Sequence, residues 1–148
     1  MAALITKKIR LRLIVVPVLF LLVALAAGSM DSIYRFKGVQ IPLALKIEGR
    51  ILEKGTYDLE FLRTSSPVLY HLRIIKKGKI LHLVQGQEVP YSGDASAIRT
   101  SRDVPDKPTL KMAKNTMRKS FIMTFESGRH TAIYPLLRAR FELPYSED

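Results

Sequence analysis

The strongest constraint on the fold of this 148-residue chain is an alternation of apolar and other residues that begins at Val39. In VQIPLALKIE, residues 39–48, the odd positions hold Val, Ile, Leu, Leu and Ile, and the even positions hold Gln, Pro, Ala, Lys and Glu. A period of two places successive side chains on opposite faces of a β-strand. Because Pro42 has no N–H to donate, we expect this strand at the edge of a sheet.

Further segments of the same period follow, separated by turn-forming residues. A second strand is predicted from about Gly55 to Arg63, and a turn at Lys76–Lys79 is predicted to join two strands of a hairpin. Four more strands are predicted in TLKMAK, SFIMTFE, RHTAIYP and LLRARFEL, with a tight turn at Glu126–Arg129. Seven or eight short, mostly antiparallel strands indicate an all-β fold, a small β-sandwich or a barrel. No segment after residue 37 shows a helical period.

The faces of the predicted hairpin can be inferred by matching apolar positions. Pairing Ile75 with Ile80 places Ile74 opposite Leu81, which gives a mainly apolar core face. The other face is then mixed rather than polar, and we predict it as an interface because apolar patches on small domains often bind partners. The alternative is that a second sheet or the long loop covers it. The residues of this predicted interface are Leu69, His71, Arg73, Ile75, Ile80, His82 and Val84.

The N-terminal 30 residues have a composition of their own. Four cationic residues precede Leu13–Ala27, a run without a charge, and Ala24 and Ala26 form an A-x-A pattern. This is the layout of a secretory signal peptide. Counted on to Met30, the uncharged stretch has about 18 residues, the lower limit for a transmembrane helix. Residues 1–30 are therefore predicted as either a cleaved signal peptide or a retained signal anchor.

Both alternatives export the rest of the chain. Positive charges stay on the cytoplasmic side, so the N-terminus is expected in the cytoplasm and the remainder in the periplasm or outside the cell, with residues 13–30 as the inner-membrane anchor if they are retained. Residues 31–37 are predicted as a linker and residues 38–148 as the exported all-β domain. Within it, the polar segment at residues 92–108 is predicted as a long loop.

The chain is strongly basic, with a formal net charge of +11. A basic domain favours anionic partners, and near a membrane these include lipid headgroups. Nucleic acid is not expected, because aromatic residues are not interleaved with the cations and the domain is exported. The cations predicted to contact an anionic surface are Lys76, Lys77, Lys79, Arg99, Arg102, Lys111, Lys114, Arg118 and Lys119.

The residues that carry chemistry in enzymes are sparse or uncombined. The absence of cysteine excludes disulfides, thiol nucleophiles and Cys-ligated metals. No nucleotide-binding, zinc-protease or serine-hydrolase motif is present. In the inferred register His71 and His82 share a face, but Arg73 lies opposite His82 and would repel a cation. Two carboxylate pairs, at residues 58 and 60 and at residues 103 and 106, are expected to serve solubility. No catalytic residue, cofactor or metal site is predicted.

These observations predict a non-enzymatic, exported β-domain that acts as a binding or structural subunit of a cell-envelope or membrane-associated assembly, with a protein partner. Two alternatives stay open: a small β-barrel that binds an apolar ligand, and a hydrolase whose site carries no recognised motif. A cavity of roughly 300 Å³ or more would favour the ligand carrier. A cleft with converging, strongly perturbed titratable groups would favour the hydrolase.

Overall fold

The computed structural model describes residues 29–129 and 136–146. Outside these residues lie residues 1–28 of the segment predicted as signal or anchor, His130 and most of the predicted strand RHTAIYP. Within the described ranges, no helix is long and apolar enough to cross a membrane. The elements are β1 (Met30–Ile41), β2 (Leu45–Ile47), β3 (Arg50–Leu52), β4 (Gly55–Thr64), β5 (Tyr70–Lys76), β6 (Lys79–Glu88), α1 (Ala95–Thr100), β7 (Thr109–Asn115), β8 (Ser120–Glu126) and β9 (Arg138–Pro144).

Seven strands form one antiparallel sheet in the order β1-β4-β5-β6-β9-β8-β7, and β2 and β3 form a separate hairpin. The predicted all-β class is confirmed. Three strands separate β4 from β8 in the sheet, yet Phe61 of β4 stacks on Phe125 of β8 with ring centroids 4.4 Å apart. This contact shows that the sheet is strongly curled. The result is a half-barrel whose concave inner face holds the core.

Aromatic rings from distant strands fill the inner face of the half-barrel. Phe61, Phe125 and Phe141 are each at most 1% exposed, and the Phe61 and Phe141 ring centroids lie 5.5 Å apart. The β2–β3 hairpin adds buried Leu45 and Ile47 to the same cluster. Burial of several large aromatic side chains is the main source of stability in a domain of this size.

Residues 31–37, predicted as a linker, belong to β1, which is an edge strand of the sheet. The sequence conceals this strand because two β-bulges, at Ile33 and near Gly38, each insert one residue and break the period of two. Gly38 has φ +65°, a left-handed conformation that glycine adopts without strain. Pro42 directly follows β1, so the alternating segment 39–48 is divided between β1 and β2.

The turn of the β5–β6 hairpin is confirmed, but the register beyond it is not. Ile75 pairs with Ile80, and Lys77 and Gly78 both have positive φ, as a type I′ turn requires. Ile74, however, pairs with His82 instead of Leu81, because Leu81 forms a one-residue bulge. Every residue of β6 after Leu81 therefore faces the side opposite to the predicted one.

The segment at residues 92–108 contains the helix α1, although no helix is predicted there. Asp94 caps α1, because its carboxylate accepts a 2.8 Å hydrogen bond from the Ala97 N–H. The rest of the segment is fixed to the domain: Val104 is buried, and the Arg129 guanidinium donates to the carbonyl oxygens of Ser101 and Val104. A helix of six residues is too short to produce a recognisable period.

The antiparallel order gives the sheet two distinct ends. The end at which Met30 opens the described chain, which we call the proximal end, also carries the end of β6 and the segment at residues 92–108. The opposite, distal end carries the Lys76–Lys79 turn, the β7–β8 turn and Pro144. The two ends therefore present different surfaces to solvent.

Candidate functional site

Strands β6 and β9 are neighbours in the sheet but pair over only a short length. Gln87–Glu88 pairs with Ala139–Arg140 towards the proximal end. Continued in the same register, the ladder would bring Leu83–Gln85 of β6 opposite Glu142–Pro144 of β9. These pairs are absent from the described ladder, so the two strands diverge towards the distal end.

A cleft of about 430 Å³ occupies the gap between the diverging strands. Its volume lies in the range of ligand-binding clefts, about 300–1,000 Å³. The walls are those parts of β6 and β9 whose pairing is missing, together with the turn of the β2–β3 hairpin. The lining residues are Lys46, Ile47, Glu48, Gly49, Leu83, Val84, Gln85, Leu143 and Pro144.

Two features of the sequence mark the region where the strands part. On the inner face the Phe141 ring lies across Gly86, so that a Cβ built at Gly86 would lie 2.7 Å from ring atom Cδ1 and 2.8 Å from Cζ. At the end of β9, Pro144 has no N–H for a ladder. The next residue, Tyr145, instead bridges to Leu45 of β2. The end of β9 is thus bound to the β2–β3 hairpin rather than to β6.

The divergence leaves one edge of β6 unpaired inside the sheet. Within residues 29–129 and 136–146, no strand pairs with Lys79–Gly86 on the side away from β5. This stretch also carries three apolar side chains in solvent: Ile80 is 59% exposed, Leu81 40% and Leu83 37%. Unpaired backbone next to exposed apolar side chains is the arrangement that another chain can pair with.

The predicted interface does not form one face. The Leu81 bulge separates its members, so the β5 residues and Ile80 lie on the outer face, whereas His82 and Val84 lie on the inner face. Leu83 takes the place opposite Arg73 that the prediction gave to His82, and Gln85 takes that of Val84 opposite His71. Leu69 precedes β5. The outer face carries His71, Arg73, Ile75 and Ile80, and the inner face carries His82 and Val84.

Much of the remaining outer face is not open surface. His71 is 9% exposed and Ile75 4%, and Arg73 donates a 2.8 Å hydrogen bond to Glu60. Because His71 and His82 lie on opposite faces, they cannot share a metal ion. Over the part of the chain that the structure describes, no group of three or more His, Asp and Glu side chains could hold one.

The carboxylate pair on β4 stabilises the sheet through contacts with neighbouring strands. Asp58 accepts hydrogen bonds from the Gly38 N–H at 3.0 Å and from the Arg35 guanidinium at 2.7 Å. The hydrogen bond from the Gly38 N–H, and to a smaller extent that from Arg35, lowers the pKa of Asp58 below its usual value. Glu60 accepts from Arg73. Each carboxylate is thus held in a contact that fixes strand geometry.

The sequence gives no sign of a buried polar cluster around Glu126, which is 2% exposed. The Lys111 ammonium donates to one of its oxygens at 2.9 Å, and the Tyr91 hydroxyl donates to the other at 3.5 Å. Burial, and to a smaller extent the negative charge of Glu126, raises the pKa of Tyr91 to about 12. The Arg138 guanidinium lies 4.4 Å from the centre of the Tyr91 ring. This cluster joins β7, β8 and β9 to the chain after β6.

The nine cations predicted to contact an anionic surface do not gather on one surface. Lys111 is bound to Glu126, and the Lys114 ammonium lies 4.6 Å from the centre of the Tyr145 ring. Arg102 lies in the loop at the proximal end, and Arg99 belongs to α1. The others lie in two turns at the distal end: Lys76, Lys77 and Lys79 in one, and Arg118 and Lys119 in the other.

A comparison of the chain with protein-family models, with curated proteins and with solved structures finds no match. A functional proposal for the domain therefore rests on the geometry of the cleft and of the β6 edge.

Proposed function

We propose that this chain is a non-enzymatic, exported β-domain that binds a protein partner as a subunit of a cell-envelope or membrane-associated assembly. Export is supported by the cationic residues that precede the apolar run Leu13–Ala27. Binding is supported by one observation above all, the cleft between β6 and β9 with its unpaired β6 edge. Anionic headgroups remain a proposed second contact for two cations of the segment at residues 92–108, Arg99 of α1 and Arg102 of the loop that follows it.

The proposed binding surface consists of the unpaired β6 edge and the side chains exposed along it. Ile80, Leu81 and Leu83 are all more than a third exposed. Full burial of an apolar side chain of this size is worth about 1.5–3 kcal/mol, and covering the part that is now exposed would stabilise a complex by a fraction of that. Ile80 and Leu81 lie beside the Lys76–Lys79 turn at the distal end, and Leu83 lies in register with Arg35, near the middle of β1.

Site-specific photocrosslinking in the native cell tests this proposal. Leu83 is replaced by the photoreactive residue p-benzoylphenylalanine, and the full-length protein is irradiated in intact cells. We expect one discrete crosslinked product of higher mass, because a partner that covers β6 lies within bonding distance of that side chain.

A matched control keeps the crosslinking result specific. Met117 is 96% exposed in the β7–β8 turn at the distal end, and the same photoreactive residue there should give no discrete product. Equal products at both positions, or none at Leu83, would contradict the proposal.

The intact mass of the protein from its native membrane shows whether the N-terminal segment is cleaved: 16.8 kDa means a retained anchor, and about 14 kDa a cleaved signal peptide.

The cleft also supports a second function, binding of a small apolar ligand. Its volume exceeds the roughly 300 Å³ expected of a ligand carrier, and Ile47, Val84 and Leu143 contribute apolar walls. The cleft lies in the wall of the half-barrel, however, because Phe61 and its neighbours fill the interior. Titration with the fluorescent probe N-phenyl-1-naphthylamine tests this function: saturation at one site per chain, abolished by Leu83→Trp, would support it.

A further inference from the structure

We propose that the cleft receives an extended segment of the partner, which pairs with β6 as an additional strand and in which apolar residues alternate with acidic ones. This inference rests on the proposed function and specifies the chemistry of the partner. The unpaired backbone of β6, the apolar walls of the cleft and the charges around it support it independently.

The backbone identifies the conformation of the bound segment. β6 continues as a regular strand from His82 to Gly86, hydrogen-bonded to β5 on one side only in the described structure. Its other edge opens into the cleft, so its N–H and C=O groups there can pair with an extended chain. Addition of a strand to an open sheet edge takes affinity from main-chain hydrogen bonds and specificity from alternate side chains.

Of the unpaired edges in the described sheet, that of β6 is the least protected. β1 carries two bulges, which interrupt a ladder. β7 is seven residues long and carries Lys111 and Lys114, and lysine on an edge strand opposes pairing with another chain. The single bulge of β6 lies at Leu81, and the stretch that lines the cleft follows it without interruption. A partner strand therefore finds a continuous ladder in the cleft.

The cleft walls identify the side-chain pattern of the segment. Side chains of an added strand point alternately to the two faces of the sheet. Those on the inner face would lie beside Val84 and Leu143, which pack against or belong to the core. Apolar residues at every second position would thus be buried, and the residues between them would remain in solvent.

The charges around the cleft identify the residues that remain in solvent. Lys46 lines the cleft, and Lys77 and Lys79 lie in the turn at which β6 begins; the Lys76 ammonium instead lies 4.9 Å from the centre of the Tyr57 ring of β4. Glu48 is the one acidic residue in the lining. A cluster of one sign attracts the opposite charge and disfavours the like charge. The solvent-facing positions of the segment are therefore acidic.

Three synthetic octapeptides test the proposal on the full-length protein in detergent micelles. The first alternates Val and Glu, the second contains the same residues as one Val block and one Glu block, and the third alternates Val and Lys. Titration calorimetry measures binding, and amide hydrogen exchange followed by mass spectrometry locates it. We expect the Val–Glu alternating peptide to bind about tenfold more tightly than the other two and to slow exchange at His82–Gly86.

Two variants and one control connect binding to the cleft. Leu83→Asp should weaken the Val–Glu alternating peptide by about tenfold or more, because it places a like charge beside the added strand. Lys46→Glu should reduce the preference for Glu over Lys peptides. Met117→Asp, at an exposed position outside the cleft, should leave binding unchanged.

Three outcomes of the peptide titrations would decide against strand addition. Equal binding of the alternating and block peptides would overturn it and favour the small apolar ligand. Absence of saturable binding by the Val–Glu alternating peptide, or binding without protection of His82–Gly86, would also overturn it. A crosslinked partner at Leu83 together with such a result would retain the proposed function and remove only this inference. Peptide binding without a cellular crosslink would show that the β6 edge accepts a strand but would overturn the proposed partner, and with it this inference.

Discussion

Replacing Gly86 by Ala should destabilise the domain, because the Phe141 ring occupies the space of the added methyl group. The new Cβ would lie 2.7 and 2.8 Å from two ring carbons and closer still to Cε1. Ordinary carbon–carbon contacts are about 3.5–4.0 Å, so the ring must retreat by about 1 Å. It has no room to do so, since Phe141 is 1% exposed and its ring lies 5.5 Å from that of buried Phe61.

The expected loss of stability combines two opposing effects. Overpacking a filled core by one methyl group costs about 1–3 kcal/mol. Replacing glycine restricts the unfolded chain and returns about 0.4–1 kcal/mol. The net destabilisation of Gly86→Ala is therefore about 1–2 kcal/mol, which corresponds to a fall in Tm of roughly 5–10 °C for a domain of this size.

Urea denaturation of the full-length protein, followed by far-ultraviolet circular dichroism, measures the free energy of unfolding. The double variant Gly86→Ala/Phe141→Leu identifies the cause, because removal of the ring should remove most of the penalty and give a coupling of about 1 kcal/mol. A Gly86→Ala protein as stable as the wild type, or a coupling near zero, would refute the close approach of Phe141 to Gly86.

Three further changes have expected outcomes. Phe125→Ala removes a fully buried ring and should lower the free energy of unfolding by about 3–5 kcal/mol, whereas Met117→Ala at an exposed position should change it by less than about 0.5 kcal/mol in the same assay. Lys111→Met leaves the buried Glu126 carboxylate without its cation and should cost about 1–3 kcal/mol, which a second change, Glu126→Gln, should partly restore. Because the pKa of Tyr91 is raised to about 12, its contribution to stability is complete below pH 10 and is lost as the pH rises towards 12. The difference in unfolding free energy between the wild type and Tyr91→Phe should therefore shrink over that range, and a constant difference would contradict the raised pKa.

The sequence predicts the strand content well because each strand is largely a local pattern. The Lys76–Lys79 turn and the Ile75–Ile80 pair are correct, because Gly78 between two apolar runs marks a short hairpin turn; Lys77 also adopts positive φ there, which a lysine does not favour. The register fails two residues later. Leu81 and Leu83 are both apolar, so the apolar pattern fits the strand with or without a bulge at Leu81.

The cleft could not be predicted, because it depends on contacts between residues distant in sequence. β6 and β9 pair through Gln87 and Arg140, and no local pattern gives the length of such a ladder. Two residues are weak signals of it: Gly86 inside a strand, which often marks a close approach, and Pro144 in the last strand, which cannot donate to a ladder. The burial of Glu126 has no signal, because its sequence context is that of a turn.

With a retained anchor, the two ends of the sheet would lie at different distances from the bilayer. Only Gly28 and Ser29 separate the apolar run from β1, so a retained anchor would hold the proximal end against the membrane surface. A 12-residue strand spans about 35 Å. The lysines of the Lys76–Lys79 turn would then stand several Debye lengths, each about 8 Å, from the headgroups, whereas Gln85 in the cleft lies in register with Ser32, two residues from Met30. With a retained anchor, the lysine turn would therefore face the aqueous compartment rather than the headgroups.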